Sequence, residues 1–397
     1  MTSADGLVLV VNAGSSSLKY RVVDAATGES AADGIVSEIG GDAHLRHEAG
    51  GKRIDDDVEC PSHAQAFTLA RRALEEEGPP LDGLRAVGHR VVHGGPRFTE
   101  PVEVDDDVIE ALRELAPLAP LHNPANVEGI LRAREAFPDA RHVAVFDTGF
   151  HRTLPPEAYT YAVPRDWRED HGVRRYGFHG TSFAHVARRT AELMGRSLGD
   201  LALVVLHLGN GASACAVLGG RSIETSMGLS PAEGLVMGTR SGDVDPALGP
   251  YLARVADVSV DDYDAALNRR SGLLALAGAS DFRTLESGLD AGEDDARLAF
   301  DVTVHRLVKY VGAYAAVLGR LDALVLTGGI GQHSPRLRAA LVGRLGLLGL
   351  SLDEQANAEG PPERRVSAPG SRAEVWVVAT DEEREIARCA LQVVGDR

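Results

Sequence analysis

Asn12, Lys19 and the small residues between them have the chemistry to bind an anionic oxygen cluster. They lie in Leu7–Lys19, LVLVVNAGSSSLK, where an apolar run gives way to a carboxamide, then Gly14-Ser15-Ser16-Ser17, then a cation. Glycine lets the backbone approach a ligand, serine hydroxyls donate hydrogen bonds, and lysine brings positive charge, which together suit a phosphate. Gly/Ser clusters also make plain turns, so the reading gains weight from two further loops. Gly209-Asn210-Gly211-Ala212-Ser213 follows the run LALVVLHL, and Thr327-Gly328-Gly329-Ile330-Gly331 follows ALVL. A glycine-rich turn between a strand and a helix can hold a nucleotide on backbone amides.

Charged residues in small or apolar surroundings come next. Arg90 sits in GHRVVHGG and Arg240 in MGTRSGDVD. Each could be half of a structural ion pair, but two such arginines beside three phosphate-type loops suggest a clamp for transferring phosphoryl oxygens. His179, in YGFHGTS, stands just before a helix, where its ring can face an anion. His207 ends a strand and His122 precedes Asn123-Pro124. Asp147 closes an apolar strand and Glu382 opens the last helix, the places where α/β folds put site residues. Glu382 can serve as a first-turn helix charge or help hold Mg²⁺.

Other chemistries are excluded. No G-x-x-x-x-G-K-[ST] occurs, which removes a P-loop. Gly209–Ala214 resembles the dinucleotide fingerprint, yet Cys215–Gly220 is strand-like and quickly broken by glycine, so the segment reads as a hairpin. No histidine pair at helical spacing and no Cys–His cluster points to zinc. Gly180-Thr181-Ser182 is not G-x-S-x-G, against a serine hydrolase.

The elements that position these residues alternate between short apolar runs and amphipathic helices, an α/β pattern. Strands are expected at Leu7–Val11, Val143–Phe146, Leu201–Leu206, Ala323–Leu326 and Val375–Val378. Helices are expected at His63–Glu77, Asp106–Leu115, Ala125–Phe137, Phe183–Leu193, Ala296–Leu318 and Glu382–Val394, with Asn123-Pro124 and Thr380-Asp381 as start signals. Residues 24–58 read as irregular surface structure. A weak internal echo links Leu7–Asp24 to Leu201–Thr225, each running strand, glycine turn, strand. It suggests two similar domains, each presenting a phosphate hairpin.

The chain has 397 residues, which fits two domains, and 44% hydrophobic with 25% charged residues is an ordinary soluble composition. A net charge of −17 argues against nucleic-acid or anionic-membrane partners. Cys60, Cys215 and Cys389 are too few and too scattered for a metal site and read as reduced thiols of a cytoplasmic protein. The start, MTSADG, has no leader-like pattern, and no run is long and apolar enough to span a membrane.

Across nearly its whole length the chain resembles the acetate/propionate kinase family. The blocks that carry the resemblance are VNAGSSSLK (11–19), GHRVVHGG (88–95), APLHNPAN (119–126), VFDTGFH (145–151), YGFHGTS (176–182), HLGNGAS (207–213), ETSMGLSPAEGLVMGTRSGDVDP (224–246), TGGIG (327–331) and TDEE (380–383). The resemblance implies the duplicated two-domain α/β fold of actin, hexokinase and Hsp70 (ribonuclease H-like), with ATP in the interdomain cleft. It implies an N-terminal domain over 1–149, completed by the C-terminal helix 382–397, and a nucleotide-binding domain over 150–381. It also implies reversible Mg²⁺-dependent phosphoryl transfer from ATP to acetate, giving acetyl phosphate and ADP, with Mn²⁺ able to substitute, and a homodimer.

By motif, Asn12 and Glu382 support the metal, and Lys19 contacts the nucleotide phosphates. Arg90 binds the acyl substrate, Val92, Leu121, Phe178 and Pro231 form the methyl pocket, and His179 and Arg240 stabilise the transferring phosphoryl group. Asp147 is the catalytic carboxylate. His207, Leu208, Gly209, Asn210 and Gly211 bind ATP together with Asp281, Phe282, Arg283, Gly329, Ile330, Gly331, Gln332 and His333. Two departures stand out: Phe183 replaces a common family histidine, and Gln332-His333 replaces the usual Glu-Asn after G-I-G.

Acetate is ionised at neutral pH, so its attack needs no strong base, and catalysis rests on alignment and charge stabilisation. Asp147 therefore reads as an orienting or metal-assisting group. A propionate kinase is the near alternative, differing in pocket volume; Val92 narrows the pocket and favours acetate. A non-catalytic ATP-binding switch of the actin/Hsp70 type is the remote alternative, and the second arginine clamp speaks against it.

Overall fold

The structure, a computed structural model, describes residues 6–395 apart from Ser15 and Asp82. The Ser15 hydroxyl and the last two residues of the expected segment 382–397 thus lie outside the described residues. The chain divides into two compact units, one of residues 1–150 with 381–397 and one of residues 151–380.

Unit 1 is built on eight strands: β1 (Leu7–Ala13), β2 (Ser17–Asp24), β3 (Ser30–Ser37), β4 (Gly41–Ala49), β5 (Lys52–Cys60), β6 (Ala86–Val91), β7 (Val102–Glu103) and β8 (His142–Phe146). They form one sheet in the order β5-β4-β3-β2-β1-β6-β8-β7. β1 is buried on both faces, as the continuous apolar run requires. Leu7, Leu9, Val11 and Ala13 join the core under the helix His63–Glu77. Val8 and Val10 face the opposite way, into the core beneath the helix Glu382–Val394. That last helix lies close over β6, where a Cβ on Gly88 would come within 2.8 Å of the Ile386 side chain.

Unit 2 carries β9 (Ala202–Leu208), β10 (Ala212–Leu218), β11 (Arg221–Thr225), β12 (Ala323–Thr327), β13 (Arg364–Arg365) and β14 (Glu374–Val377), in the order β11-β10-β9-β12-β14-β13. β9 and β12 are wholly buried. The helices Gly180–Met194 and Asp294–Leu318 pack beside β9.

The internal echo is a true repeat of topology. In unit 1, β3-β2-β1-β6-β8 pairs antiparallel, antiparallel, parallel, parallel; in unit 2, β11-β10-β9-β12-β14 does the same. Gly209–Gly211 joins β9 to β10 as a hairpin, as read from the sequence.

Three expectations need correction. Residues 24–58 are mostly strands, not irregular: β3, β4 and β5 extend the sheet as antiparallel hairpins. Their Gly, Asp and Ala content hid them because one face is solvated and the β5 side chains are largely exposed. The segment after β12 is not an open loop, since Gly328–His333 is already helical. Gly328 there has φ +75°, and a Cβ on it would lie 2.6 Å from the Leu208 carbonyl oxygen, which only glycine avoids. Finally, Asn123 does open the helix Asn123–Ala136, but its side chain caps nothing there and turns to His93 instead.

A line of residues in register crosses β2, β3 and β4: Tyr20 opposite Gly34, and Gly34 opposite His47. The Tyr20 ring lies over Gly34 and hydrogen-bonds through its hydroxyl to His47 Nδ1 at 2.9 Å. Gly34→Val, although it raises β propensity, should displace this ring and destabilise the fold by about 1–3 kcal/mol. Urea denaturation of the two proteins measures it, and an equal or higher midpoint for the valine variant would contradict the packing.

Candidate active site

In unit 1 the polar residues cluster where strands end. Asn12 and Lys19 are directly opposed across the β1–β2 ladder, so they share a face. The turn between them is closed by Gly14 N–H donating to Ser17 O at 2.8 Å, and His63 Nε2 donates to Gly14 O at 2.7 Å. Lys19 is exposed at its surface and Asn12 half-buried.

Arg90 on β6 and Asp147 just past β8 form a two-pronged pair. Nε donates to Oδ1 at 3.0 Å and Nη2 to Oδ2 at 2.7 Å, with the Asp147 side chain only 2% exposed. Burial raises the Asp147 carboxyl, and the Arg90 charge offsets part of that rise. Burial by itself would weaken the Arg90 cation, but the Asp147 and Glu382 carboxylates outweigh it and hold the proton firmly. The pair uses Nε and Nη2, leaving the Nη1 edge of the fork outside it. Glu382 Oε2 lies 3.9 Å from Arg90 Nε.

Glu382 is fixed by its helix start. Asp381 caps the helix, accepting from Arg384 N–H at 3.0 Å, and is itself bound by Arg21 of β2 at 2.9 Å. Asn12, Glu382 and Asp147 offer oxygen donors, and no cluster of three His, Cys, Asp or Glu poised for a metal exists among the described residues. Such a donor set fits Mg²⁺, which keeps its waters and shares its ligands with substrate phosphates, better than a metal needing a full protein cage.

In unit 2, His179 stands at φ +58°, a left-handed conformation that costs energy for a non-glycine residue. Its Nδ1 is hydrogen-bonded to Ser213 Oγ at 2.8 Å, and its ring stacks on His207 at 4.3 Å between centroids. His207 is hydrogen-bonded through Nδ1 to Ser182 Oγ at 2.8 Å, and Thr380 Oγ1 donates to that oxygen at 2.7 Å. A Cβ on Gly211 would lie 3.5 Å from the His179 ring and 3.6 Å from Arg240 Nη1, so these three meet at the hairpin. Arg240 is half-buried, and burial pulls its guanidinium down; no carboxylate pairs with it among the described residues. A desolvated cation without a counter-charge is a receptor for an anion.

The expected nucleotide residues partly converge. Leu208, Gly209, Phe282 and Ile330 line a narrow apolar pocket, with Leu273 and Leu307 beside them. Asp281 caps the helix Phe282–Ala291, and the Arg283 side chain folds back onto it at 2.7 Å in an exposed pair. Asn210 packs against Gly238, whose N–H donates to the Asn210 carbonyl at 2.9 Å. Gly329, Gly331, Gln332 and His333 lie in the short helix Gly328–His333. Of the four methyl-pocket residues, Val92 and Leu121 belong to unit 1, and Phe178 and Pro231 to unit 2. Val92 and Phe178 are buried, whereas Leu121 is exposed. Phe183, at the departure from the family histidine, is fully buried and meets the His151 ring edge-on at 5.7 Å.

Several supporting residues were not singled out in the sequence. Arg338 is almost fully buried and donates to the carbonyls of Gly331 at 2.8 Å and Gln332 at 2.9 Å, and to Asn357. Burial lowers its guanidinium to about 10. His151 Nε2 donates to the Phe178 carbonyl at 2.9 Å and Nδ1 accepts from Ser222 Oγ at 2.8 Å, bracing the peptide that leads into His179. A basic residue inside an apolar helix start was the visible signal for Arg338; for His151 only its place at the end of VFDTGFH hinted.

Burial pushes the His151 imidazole down to about 4. Its unfolded counterpart protonates near pH 6.5, so below that pH the unfolded chain binds a proton the native one refuses. Stability tied to His151 is therefore fully present above about pH 6.5 and declines as pH falls toward 4, by about 1.4 kcal/mol per pH unit. Denaturation at pH 7 and pH 5 should show that this share of the slope is missing in His151→Gln. An NMR titration placing the native His151 near 6.5 would contradict it.

Comparison with known proteins places the chain in a family. The sequence profile of the Acetokinase family matches residues 7–388. The chain is 54% identical to an acetate kinase of Leifsonia xyli subsp. xyli, covering 98% of this chain and 99% of that one. It is 51% identical to an acetate kinase of Deinococcus radiodurans, covering 98% of each. Among solved structures, a propionate kinase from Francisella tularensis superposes with a TM-score of 0.93 at 37% identity, covering 98% of this chain and 100% of that one. An acetate kinase of Porphyromonas gingivalis superposes at 0.92 with 38% identity, over 98% and 100% of the two chains. Sequence and topology agree: this chain belongs to the acetokinase family and has its two-domain α/β kinase fold.

Proposed function

We propose that this protein catalyses reversible transfer of the γ-phosphoryl group of ATP to acetate, giving acetyl phosphate and ADP. The observation that carries the reading is Arg240, a half-buried guanidinium with no carboxylate partner among the described residues, set beside His179 on the Gly209–Gly211 hairpin. In the forward direction an acetate oxygen forms the new P–O bond as the bond to the ADP oxygen breaks. The acetate is already anionic, so the protein's task is to align it and to neutralise charge on the moving phosphoryl group.

Arg90 holds the acyl carboxylate, with Asp147 fixing the fork's orientation and not taking a proton. Val92, Leu121, Phe178 and Pro231 are the residues assigned to contact with the methyl group. Arg240 and His179 stabilise the phosphoryl oxygens in flight. Lys19 and His207–Gly211 contact the nucleotide phosphates. Asp281–Arg283 and Gly329–His333 hold the nucleoside, a role supported by the apolar side chains of Phe282 and Ile330 lining one pocket. Asn12 and Glu382 hold Mg²⁺, which when bound neutralises phosphate charge. Arg90 and the two metal residues thus belong to unit 1, and Arg240, His179 and most of the nucleotide residues to unit 2.

The buried thiols of Cys60, Cys215 and Cys389 suit the reducing cytoplasm. A homodimer is supported by Val244, Tyr251, Val255 and Val260, apolar residues left exposed along 244–260. A sedimentation mass equal to one 42.0 kDa chain would exclude it. A preference for propionate is the second reading, favoured by the likeness to the Francisella tularensis propionate kinase.

A hydroxamate assay of acyl phosphate, with ATP, Mg²⁺ and either acid, tests the proposal. Acetate should give the higher kcat/KM, and a higher value for propionate would choose the second reading. Arg240→Ala should lower kcat by roughly 10²–10⁴ with a smaller change in KM for ATP. Near-normal turnover in that variant would remove Arg240 from the reaction.

A further inference from the structure

We infer that Asn126 is a positioning residue for the acyl acceptor: its carboxamide fixes the peptide that follows Arg90 and carries Val92. This rests on the reading of Arg90 and Val92 as the acyl side of the site. The parallel ladder between β1 and β6 ends at Val11 opposite His89. Beyond it the two chains run on as Asn12-Ala13 and Arg90-Val91-Val92. The Asn126 side chain bridges them, Oδ1 accepting from Val92 N–H at 3.0 Å and Nδ2 donating to the Ala13 carbonyl at 2.7 Å. A primary amide carries one carbonyl and N–H donors, so it replaces one peptide of the ladder.

The same peptide is gripped on its other side, where the Val91 carbonyl accepts from Asp147 N–H at 3.0 Å. One residue further, Asn123 closes on His93, accepting from its N–H at 3.2 Å and donating to its carbonyl at 3.0 Å. Both asparagines are buried, so water does not compete for these groups. Their helix reaches β1 because Gly129, one turn beyond Asn126, has no side chain: a Cβ there would lie 2.5 Å from that of Ala13. Asn126 and Gly129 together set how close the helix sits to the strand ends. Arg90, Asp147 and Val92 are all carried on those ends.

Discrimination between acetate and propionate turns on one methylene, so a small shift of Val92 is felt directly. Losing Asn126 leaves a buried N–H and a buried carbonyl unpaired, and the strand exit relaxes. The test uses the full-length chain with Asn126→Ala and Asn126→Ser, and with Gly129→Ala, which moves the helix while leaving both amides in place. Each should raise KM for acetate by about tenfold and lower the acetate-to-propionate ratio of kcat/KM, with KM for ATP within about twofold of the parent. A merely structural role predicts fewer active molecules, with both KM values and the ratio unmoved, and that result would overturn the inference. Val92→Ala is the control, expected to shift the ratio toward propionate by roughly tenfold. If Val92→Ala shifts the ratio and the Asn126 and Gly129 variants do not, only the role of Asn126 falls. If Val92→Ala shifts nothing, the acyl-side reading itself falls.

Discussion

The pair between Arg90 and Asp147 governs the architecture of unit 1. An ionised carboxylate so deeply buried is tolerated only with a geometrically good partner, because desolvating either charge alone is costly. The two prongs require the ends of β6 and β8 to lie side by side and at one level. The parallel register Arg90 opposite Val145 and Val91 opposite Phe146 delivers this, and Asp147 follows directly. Continuous apolar strands and the covering helix Glu382–Val394 supply the rigid frame. The same helix start brings Glu382 near Arg90, and Arg21 ties that start to β2 through Asp381. The frame is thus shaped to hold a charge pair whose outer edge can still meet an anion.

Three arginines show three ways to satisfy a desolvated guanidinium. Arg90 takes a carboxylate. Arg338 takes backbone and side-chain carbonyls only, which neutralise its hydrogen-bonding needs but not its charge, and burial accordingly lowers its affinity for its proton. Among the described residues Arg240 has neither a carboxylate nor a set of carbonyls, and it stands beside a turn rich in glycine. The first two arrangements are complete within the protein. The third is energetically incomplete, which is why it points to a ligand and the others do not.

Much of this was legible in the sequence because the strongest signals are local. The apolar runs became β1, β8, β9 and β12, the carboxyl-terminal positions of Asn12, Asp147 and His207 followed from them, and the hairpin at Gly209–Gly211 was visible in what came after it. What failed was also physical. The strands within 24–58 lacked apolar alternation because β5 is an exposed edge rich in Asp, Glu, Lys and Arg, a pattern that guards against edge pairing and reads as loop. Asn123 looked like a helix-start residue because that is the commonest local use of asparagine. Its actual partner is His93, thirty positions away in sequence, and no local pattern encodes that. Arg338 and His151 act on backbone carbonyls, which any residue presents, so their partners left no trace in residue types.

The repeated topology explains where chemistry enters each unit. In β1–β2 the last pair before the turn is Ala13 with Leu18, and the pair before it is Asn12 with Lys19. In β9–β10 the last pair is Leu208 with Ala212, and the pair before it is His207 with Ser213. The same two positions of one duplicated hairpin therefore hold a carboxamide with an ammonium in one unit and an imidazole with a hydroxyl in the other. Directly opposed residues share a face, so each hairpin offers two polar groups together at its tip, backed by a buried strand. In unit 1 that tip carries a carboxamide and a cation, groups suited to metal and phosphate. In unit 2 the hydroxyl is spent on His179 and the imidazole stacks against it, so the hairpin orients a second ring at its tip. The repeated backbone places two side chains at each turn, and the two units differ in the chemistry of the side chains that stand there.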